Sequence, residues 1–392
     1  MREVVIVSAS RTPIGSFSGT LSEVPATKLG SIAIKDAINK AGIKPESVDE
    51  VIMGNVLTAG EGQAPARQAA LGAGIPNSVH CMTINKVCGS GLKAVMLASQ
   101  SIQLGDSNVV VAGGMENMSL APHLLEKSRV GFKMGHAQIT DSMIKDGLWD
   151  PYNDFHMGNA GEMCVKKEEF TREQQDDFAI KSYQKALSAA EQGLFNDEIV
   201  AVEIPNKKGA ALIISQDEQP HKVKFDKIPT LKPVFNKEGT ITAANASPIN
   251  DGAAALVIMG DDTAQQMGVK PLAKIVAYST HSQAPEWFTT APVEAIKKVI
   301  KKAKLKLEDI DLFEINEAFA VVTMAAIKEL NLDAEKVNVN GGSVALGHPI
   351  GASGARILTT LIYNLKRQNK KYGLATLCIG GGEAVAMIVE SL

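Results

Sequence analysis

The chain of 392 residues is long enough for two or three domains, or for one large duplicated unit. Its net charge of −3, with 45% apolar and 21% charged residues, describes an ordinary globular chain and excludes a global pull towards nucleic acid or an anionic membrane. Its four cysteines, Cys81, Cys88, Cys164 and Cys378, form no C-x-x-C pair and have no histidine at zinc-ligand spacing. They exclude a disulfide framework and read as reduced thiols.

Val4 to Ser8 is a continuous apolar run, expected of a strand buried on both faces. Strand-like sequence from Glu3 leaves no room for a secretory signal, and no apolar run reaches the ~20 residues of a membrane helix. A cytoplasmic location is expected, or the mitochondrial matrix for a chain that has lost a transit peptide. Residues 26–41 then read as an amphipathic helix through Leu29, Ile32, Ala33, Ala37 and Ile38. A second buried strand spans Glu50 to Gly54, and a short helix Arg67 to Gly72.

The segment Asn85-Lys86-Val87-Cys88-Gly89-Ser90-Gly91-Leu92 follows. Leu92, Val95, Met96, Ser99 and Ile102 recur at helical spacing, and Gly105 reads as the stop. Cys88 is therefore expected at or just before a first helical turn, where free N–H groups favour a thiolate. Taken alone, it reads more readily as a small core residue. The next strand, Asn108 to Ala112, is expected to close at Gly113-Gly114.

Residues 115–245 are richer in His, Met, Lys and turn residues, with one clear helix from the Thr171–Gln174 capping box to Gly193. They read as an insertion: a lid or binding domain on a rigid scaffold. Strand texture returns at Ala253 to Met259, and the last third repeats the first. Ala33–Asp49 aligns with Ala295–Asp311 at a constant offset of 262, with nine of 17 positions identical. Leu272 to Ser279 precedes the repeated helix as Val4 to Ser8 precedes the first, and Ser353-Gly354 opens a helix as Ser90-Gly91 does. Alternating strands and helices predict mixed, mostly parallel sheets in two pseudo-symmetric α/β halves, with glycine-rich strand ends around one cleft.

Three further groups fall in the second half. His348, between Gly347 and Pro349, cannot lie inside a helix; on a loop it reads as a base toward a nearby thiol, or as a structural turn histidine. Cys378 ends a buried strand before Gly380-Gly381-Gly382, whose bare amides suit an oxyanion; the thiol itself reads also as core filler. Asn316, after another buried strand, reads as a group that orients a water or a histidine, or as a simple turn former.

Together with Gly113-Gly114-Met115-Glu116, His156-Met157-Gly158, Asn245-Ala246-Ser247 and Asn316-Glu317-Ala318-Phe319, these motifs resemble the thiolase family, and its short-chain members in particular, over essentially all 392 residues. The resemblance implies a thiolase fold. Its N-terminal half would span residues 1–118 and 246–270, its inserted loop domain 119–245, and its C-terminal half 271–392. It implies condensation of two acetyl-CoA to acetoacetyl-CoA, and the reverse thiolysis, with no prosthetic group. Cys88 would carry the acetyl group and His348 would activate it. Cys378 would take a proton from the second acetyl-CoA. The amides of Cys88 and Gly380 would hold one oxyanion, and His348 with a water on Asn316 the other. Leu148, His156, Met157, Phe235, Ala243, Ser247 and Phe319 would line the pantetheine tunnel. Tyr183, Ala243, Ala244, Ala246 and Val344 match a potassium site of animal mitochondrial members. A homotetramer is implied, with residues 120–145 between dimers.

Departures from the family pattern are Ser343 in place of alanine, Gly161 in place of alanine, and a bulky segment Ala284–Pro292 beside the acyl pocket. Lys207, Lys208, Lys222, Lys224 and Lys227 form a basic cluster of which some would meet the coenzyme's phosphates. Competing readings are a longer-chain 3-ketoacyl-CoA thiolase, a ketoacyl synthase (which would call for a histidine at Cys378) and an inactive acyl-CoA- or lipid-binding relative.

Overall fold

The computed structural model describes residues 2–206 and 209–392, so Lys207 and Lys208 lie outside the described residues. Its principal strands are β1 (Val4–Arg11), β2 (Glu50–Gly54), β3 (His80–Ile84), β4 (Val109–Asn117), β5 (Asn250–Gly260), β6 (Ala273–Ser282), β7 (Leu312–Ile315), β8 (Tyr372–Ile379) and β9 (Glu383–Ser391). With the short Gly15–Ser16 strand on β5, they form one ten-stranded sheet in the order β7-β8-β9-β6-β1-β5-β4-β2-β3. Outward from the β1·β6 pair, where Val5 faces Lys274 and Ile6 faces Ala273, β1-β5-β4-β2 mirrors β6-β9-β8-β7, and β3 is added at one edge. In each half the first strand lies innermost, and the last strand of that half lies beside it.

The helices follow the same symmetry. Helix α1 (Ala26–Ala41), α2 (Pro65–Gly72) and α3 (Ser90–Leu104) belong to the first half; α4 (Met157–Glu168) and α5 (Arg172–Glu191) lie between the halves; α6 (Ala291–Ala303), α7 (Ala320–Leu330) and α8 (Ser353–Arg367) belong to the second. The continuous apolar runs are explained by burial on both faces. In β1 and β5, Ile6, Ala9, Leu256 and Ile258 face the central helices α3 and α8, while Val5, Val7, Val257 and Met259 pack on α1 and α2. In β8 and β9, Leu377, Val385 and Met387 face the same central helices, while Leu374, Ala384, Ala386 and Ile388 pack with α6. The result is five layers with α3 and α8 in the middle.

The internal repeat is physical as well as textual. Asp49 Oδ2 accepts from the amides of Asn108 and Val109 at 2.7 and 3.0 Å. Its repeat partner Asp311 does the same for Lys371 and Tyr372, each at 2.9 Å. Each carboxylate fixes the start of a buried strand, β4 in the first half and β8 in the second.

Three sequence expectations are corrected. The sheet is mixed but mostly antiparallel: among the described residues only β2·β3, β2·β4 and β7·β8 run parallel. These are the pairs joined through helical crossovers, whereas β8 turns directly into β9 at Gly380–Gly382, and a hairpin forces antiparallel pairing. Gly113 and Gly114 do not close β4, which continues to Asn117 opposite Asp251. A Cβ at either position would overlap the carbonyl of Ala254 or of Gly351, so the glycines admit a close backbone neighbour inside a running strand. Strand β3 went unread because its half-exposed His-Cys-Met-Thr-Ile shows neither clean alternation nor a buried run.

Residues between β4 and β5 leave the sheet, and Arg11 clamps them to β1. Its buried guanidinium pairs with Glu198 at 2.6 Å and with both oxygens of Asp217 at 2.7 and 2.9 Å. It also sits 5.1 Å from the Phe195 ring centroid. Removing the cation would strand two buried carboxylates. Arg11→Ala is therefore expected to destabilise the protein by about 3–5 kcal/mol, read from guanidinium unfolding. A loss below about 1 kcal/mol would show that the clamp is not structural.

Candidate active site

Cys88 lies one residue before Gly89, the N-cap of α3. Side chains knot this loop. Asn85 Oδ1 accepts from the Val87 amide at 2.9 Å, and Ser90 Oγ accepts from Lys86 N at 2.8 Å while donating to Val87 O at 2.7 Å. Val87 is held at φ 45°, a conformation a β-branched residue adopts only under constraint. The loop from Gly341 to Gly351 faces it. Gly347, at φ 113°, lies so close to Asn250 that a Cβ would collide, and Asn250 Oδ1 accepts from the His348 amide at 2.9 Å. Glu116 ties the His348 loop to the turn after β2. Its carboxylate accepts from Asn55 Nδ2 and the amides of Val56, Leu57 and Gly351, at 2.8–3.1 Å. Burial pushes this carboxyl up to about 7 against those four donors.

The protonation pattern of His348 follows from its neighbour. Nδ1 lies 2.6 Å from Ser353 Oγ, and that hydroxyl donates to Pro349 O at 2.9 Å. The hydroxyl has one proton, so Nδ1–H donates to it and Nε2 is the bare acceptor. Nε2 is buried and has no protein partner. Burial, with the Arg356 cation nearby, pushes the imidazole down to about 3.

Cys88, His348 and Gly380 line one cavity of about 580 Å³. Leu148, His156, Met157, Phe235, Ala243, Ser247 and Phe319 line the same cavity. His156 stacks on Phe235 with centroids 4.7 Å apart, and Phe319 meets Phe235 and Phe288 edge-on at 6.0 and 6.4 Å. His156 also caps α4, its Nδ1 accepting from Gly158 N at 3.1 Å, so Nε2 carries its proton. Ser247 Oγ donates to Ala318 O at 2.9 Å, which leaves its lone pair to accept. Lys222 stands at the exposed mouth, paired with Glu218 at 2.6 Å.

Cys378 and Asn316 lie just behind this wall. Cys378 is fully buried among Met157, Ala318 and Phe319, and burial together with the nearby Cys88 raises its thiol well above the ordinary value. Asn316 Oδ1 accepts from Ser343 Oγ at 2.6 Å, while its Nδ2 is buried without a protein partner. All four cysteines are free.

One electrostatic expectation is reversed. The nearby amides of Gly380 and of Cys88 itself favour a thiolate, yet burial dominates and pushes the thiol up to about 11. Cys88 sits before the N-cap rather than in the first turn, so helix N–H groups do not offset desolvation. Burial thus favours the neutral form of both the Cys88 thiol and the His348 imidazole.

Sequence models of the thiolase N-terminal domain and the thiolase C-terminal domain match residues 4–262 and 269–391. The chain belongs to the thiolase family. It is 54% identical over 391 residues to an acetyl-CoA acetyltransferase of Cupriavidus necator, covering all of both chains. It is 55% identical over 391 residues to a mitochondrial acetyl-CoA acetyltransferase of Danio rerio, covering all of this chain and 92% of the other. The crystal structure of the Bacillus anthracis acetyl-CoA acetyltransferase superposes with a TM-score of 0.98 at 45% identity, over 100% of this chain and 99% of that one.

Sequence reasoning missed several residues of this thiolase's cavity, among them Phe17, Met118, Ile249 and Ile350. They come from separate loops and carry no local motif. Phe288, from the bulky 284–292 segment, is buried and faces the cavity. The neutral pair predicts the pH dependence of alkylation. Iodoacetamide should modify Cys88 in ligand-free protein at a rate that climbs from about pH 7 to about pH 10 without levelling, with Cys88→Ala as the control for the other thiols. A plateau already present at pH 7 would mean that the pair rests as an ion pair.

Proposed function

We propose that the protein is an acetyl-CoA C-acetyltransferase. It condenses two acetyl-CoA to acetoacetyl-CoA and CoA, and runs the reverse thiolysis, through an acetyl group held on Cys88. The observation that carries this reading is the single cavity shared by Cys88, His348, Gly380 and an aromatic channel wall.

A free thiol that stays protonated at neutral pH is a poor nucleophile, so its proton must leave as the sulfur attacks. The bare Nε2 of His348 is the acceptor for it, and a base held neutral by burial is always in the receiving form. The Gly380 and Cys88 amides, already directed at the sulfur, are placed to meet the thioester oxygen as it gains charge. The departing CoA sulfur takes the proton of Cys378, and the Cys378 thiolate so formed then takes a proton from the methyl group of the second acetyl-CoA. The carbanion attacks the acetyl carbon on Cys88, the C–S bond breaks, and the Cys88 sulfur recovers the proton that His348 had held. The unpartnered Nδ2 of Asn316 would hold the water that, with His348, faces the second thioester oxygen.

Residues 119–245 would form the coenzyme-binding unit between an N-terminal half (1–118 and 246–270) and a C-terminal half (271–392). Ser247 accepts from a pantetheine N–H and Lys222 meets a phosphate. Exposed apolar side chains cluster in the same region, with Val130 and Ile139 exposed at 85% and 68% and Leu125 and Phe132 also open. Such a surface supports a dimer-of-dimers contact through residues 120–145. No helix among the described residues is long and apolar enough to cross a membrane, and we place the enzyme in the cytoplasm or the mitochondrial matrix.

The potassium reading fits the donors. The Tyr183 hydroxyl is buried and bonded to Gln219, which shares the cavity lining with Ala243. With the main-chain carbonyls of Ala243, Ala244, Ala246 and Val344 it offers neutral oxygens, the ligand type potassium takes. Replacing KCl by NaCl should lower the turnover rate, and equal rates in the two salts would rule the site out.

The decisive experiment separates the two thiols. Cys378→Ser should keep acetyl exchange between acetyl-CoA and labelled CoA but lose thiolysis of acetoacetyl-CoA by about 10³-fold or more, on the order of removing a catalytic group. Cys88→Ala should lose both. A Cys88→Ala protein with full thiolysis would sink the mechanism.

A further inference from the structure

We infer that Ser343 is a positioning residue for this reaction, acting through Asn316. The inference rests on the acetyl-transfer reading above, in which Asn316 holds a water at the second thioester. Ser343 Oγ lies 2.8 Å from Arg356 Nη2 and 2.6 Å from Asn316 Oδ1. All three side chains are buried. A guanidinium has donors only, so the Ser343 hydroxyl must accept from it. Its one proton is then directed at Asn316, and the atom that receives it must be the amide oxygen.

This fixes which way the amide faces. Were Asn316 turned over, Nδ2 and Arg356 would both donate to Ser343, and the hydroxyl proton would be buried without an acceptor. In the observed arrangement Oδ1 is held on the Ser343 side and Nδ2 points elsewhere, buried and unpartnered by protein. A buried N–H without a protein partner calls for a water or a ligand atom. Asn316 follows β7 in the loop whose Ala318 and Phe319 line the cavity. The amide therefore offers the site a donor and withholds its oxygen. An oxygen in that place would repel an enolate as it gains charge.

Arg356 anchors the chain. It is buried, its Nη1 lies 3.8 Å from Glu314, and its Nε and Nη1 have no hydrogen-bond partner. The bond to Ser343 is thus one of its few fixed contacts. Because the same cation lies near His348, the Arg356–Ser343–Asn316 chain reaches both groups assigned to the second oxyanion.

The donor side of Asn316 matters where an enolate forms, in making or breaking the carbon–carbon bond. It has no part in moving an acetyl group between Cys88 and CoA. Ser343→Ala should lower kcat for acetoacetyl-CoA thiolysis about tenfold, less than the 10²–10³-fold lost when an oxyanion donor itself is removed. KM for CoA and acetyl exchange with labelled CoA should not change. Ser343→Cys, which keeps a weak donor, should lose less. The pair Asn316→Ala and Asn316→Ala/Ser343→Ala should be equally slow, because a residue acting through Asn316 has nothing left to position. Unchanged thiolysis in Ser343→Ala, equal falls in thiolysis and exchange, or additive losses in the double variant would each overturn the proposal. Thermal melting checks the fold, and Ser343→Cys with its Asn316→Ala combination carries the same cycle if Ser343→Ala does not fold. Absence of both exchange and thiolysis in the unmutated protein would instead overturn the acetyl-transfer reading.

Discussion

The structure depends on how closely the two central helices meet. A Cβ on Gly91 of α3 would lie 2.7 Å from the Ala355 amide of α8, and one on Gly354 of α8 would overlap the Leu92 amide of α3. Each helix therefore presents a bare backbone to the other at its own first turn, which no residue but glycine permits. This contact sets the distance between the two halves. The chain enters α3 from the Cys88 loop and α8 from the His348 loop, so bringing the helix starts together brings the thiol and the imidazole to one place. A duplicated unit acquires a shared site at its pseudo-two-fold axis by this means, and the two copies are free to diverge in the loops.

The price of such a site is desolvation, and its charged groups show how it is met. Cys88, Cys378, Glu116 and Glu314 all have their acids raised by burial, and His348 has its base lowered. Every one of these shifts favours the neutral form. A buried ion pair at rest would need solvation the cavity lacks. On the proposed mechanism, fixed donors instead stand where charge would arise only during reaction: the Gly380 and Cys88 amides at the sulfur, and the free Nδ2 of Asn316. Amides at the end of a strand and a side-chain amide locked by a hydroxyl need no reorganisation when the charge appears.

Features set by local sequence were legible before the structure. The α1 and α6 helices, the Thr171 capping box and the Ser-Gly starts of α3 and α8 all follow from short-range rules, and the structure places them as read. The repeat was legible because some matched residues do equivalent work, as Asp49 and Asp311 do in gripping the next strand. Strand direction was not, because an apolar run buried on both faces looks the same whether its neighbour runs parallel or not. The role of Gly113 and Gly114 was hidden because their reason is a carbonyl from another strand and one from the His348 loop. Motifs marked Cys88, His348, Cys378 and Asn316 as candidates, but not the state of the Cys88 thiol. That state is a balance between local amides and burial by residues distant in sequence. The link from Arg356 through Ser343 to Asn316 spans 13 and then 27 residues, with no pattern along the chain to mark it.

The division between scaffold and inserted segment carries a consequence for specificity. Cys88, His348, Cys378 and Gly380 all come from strand ends and helix starts of the duplicated core, held by main-chain packing that tolerates little change. Leu148, His156, Met157 and Phe235 come from the segment between β4 and β5, which Arg11 clamps to β1 through Glu198 and Asp217. The aromatic wall joins the two parts, since Phe235 of the segment meets Phe319 of the second half edge-on, and Phe319 meets Phe288. Core residues Phe288 and Phe319 and segment residues Leu148, Met157 and Phe235 thus line one cavity. On the proposed reading, substitutions at Phe288 would act on the acyl group that fits, whereas substitutions at Met157, Phe235 or Leu148 would act on how the coenzyme is held. Chemistry and recognition can vary separately because they rest on different parts of the chain.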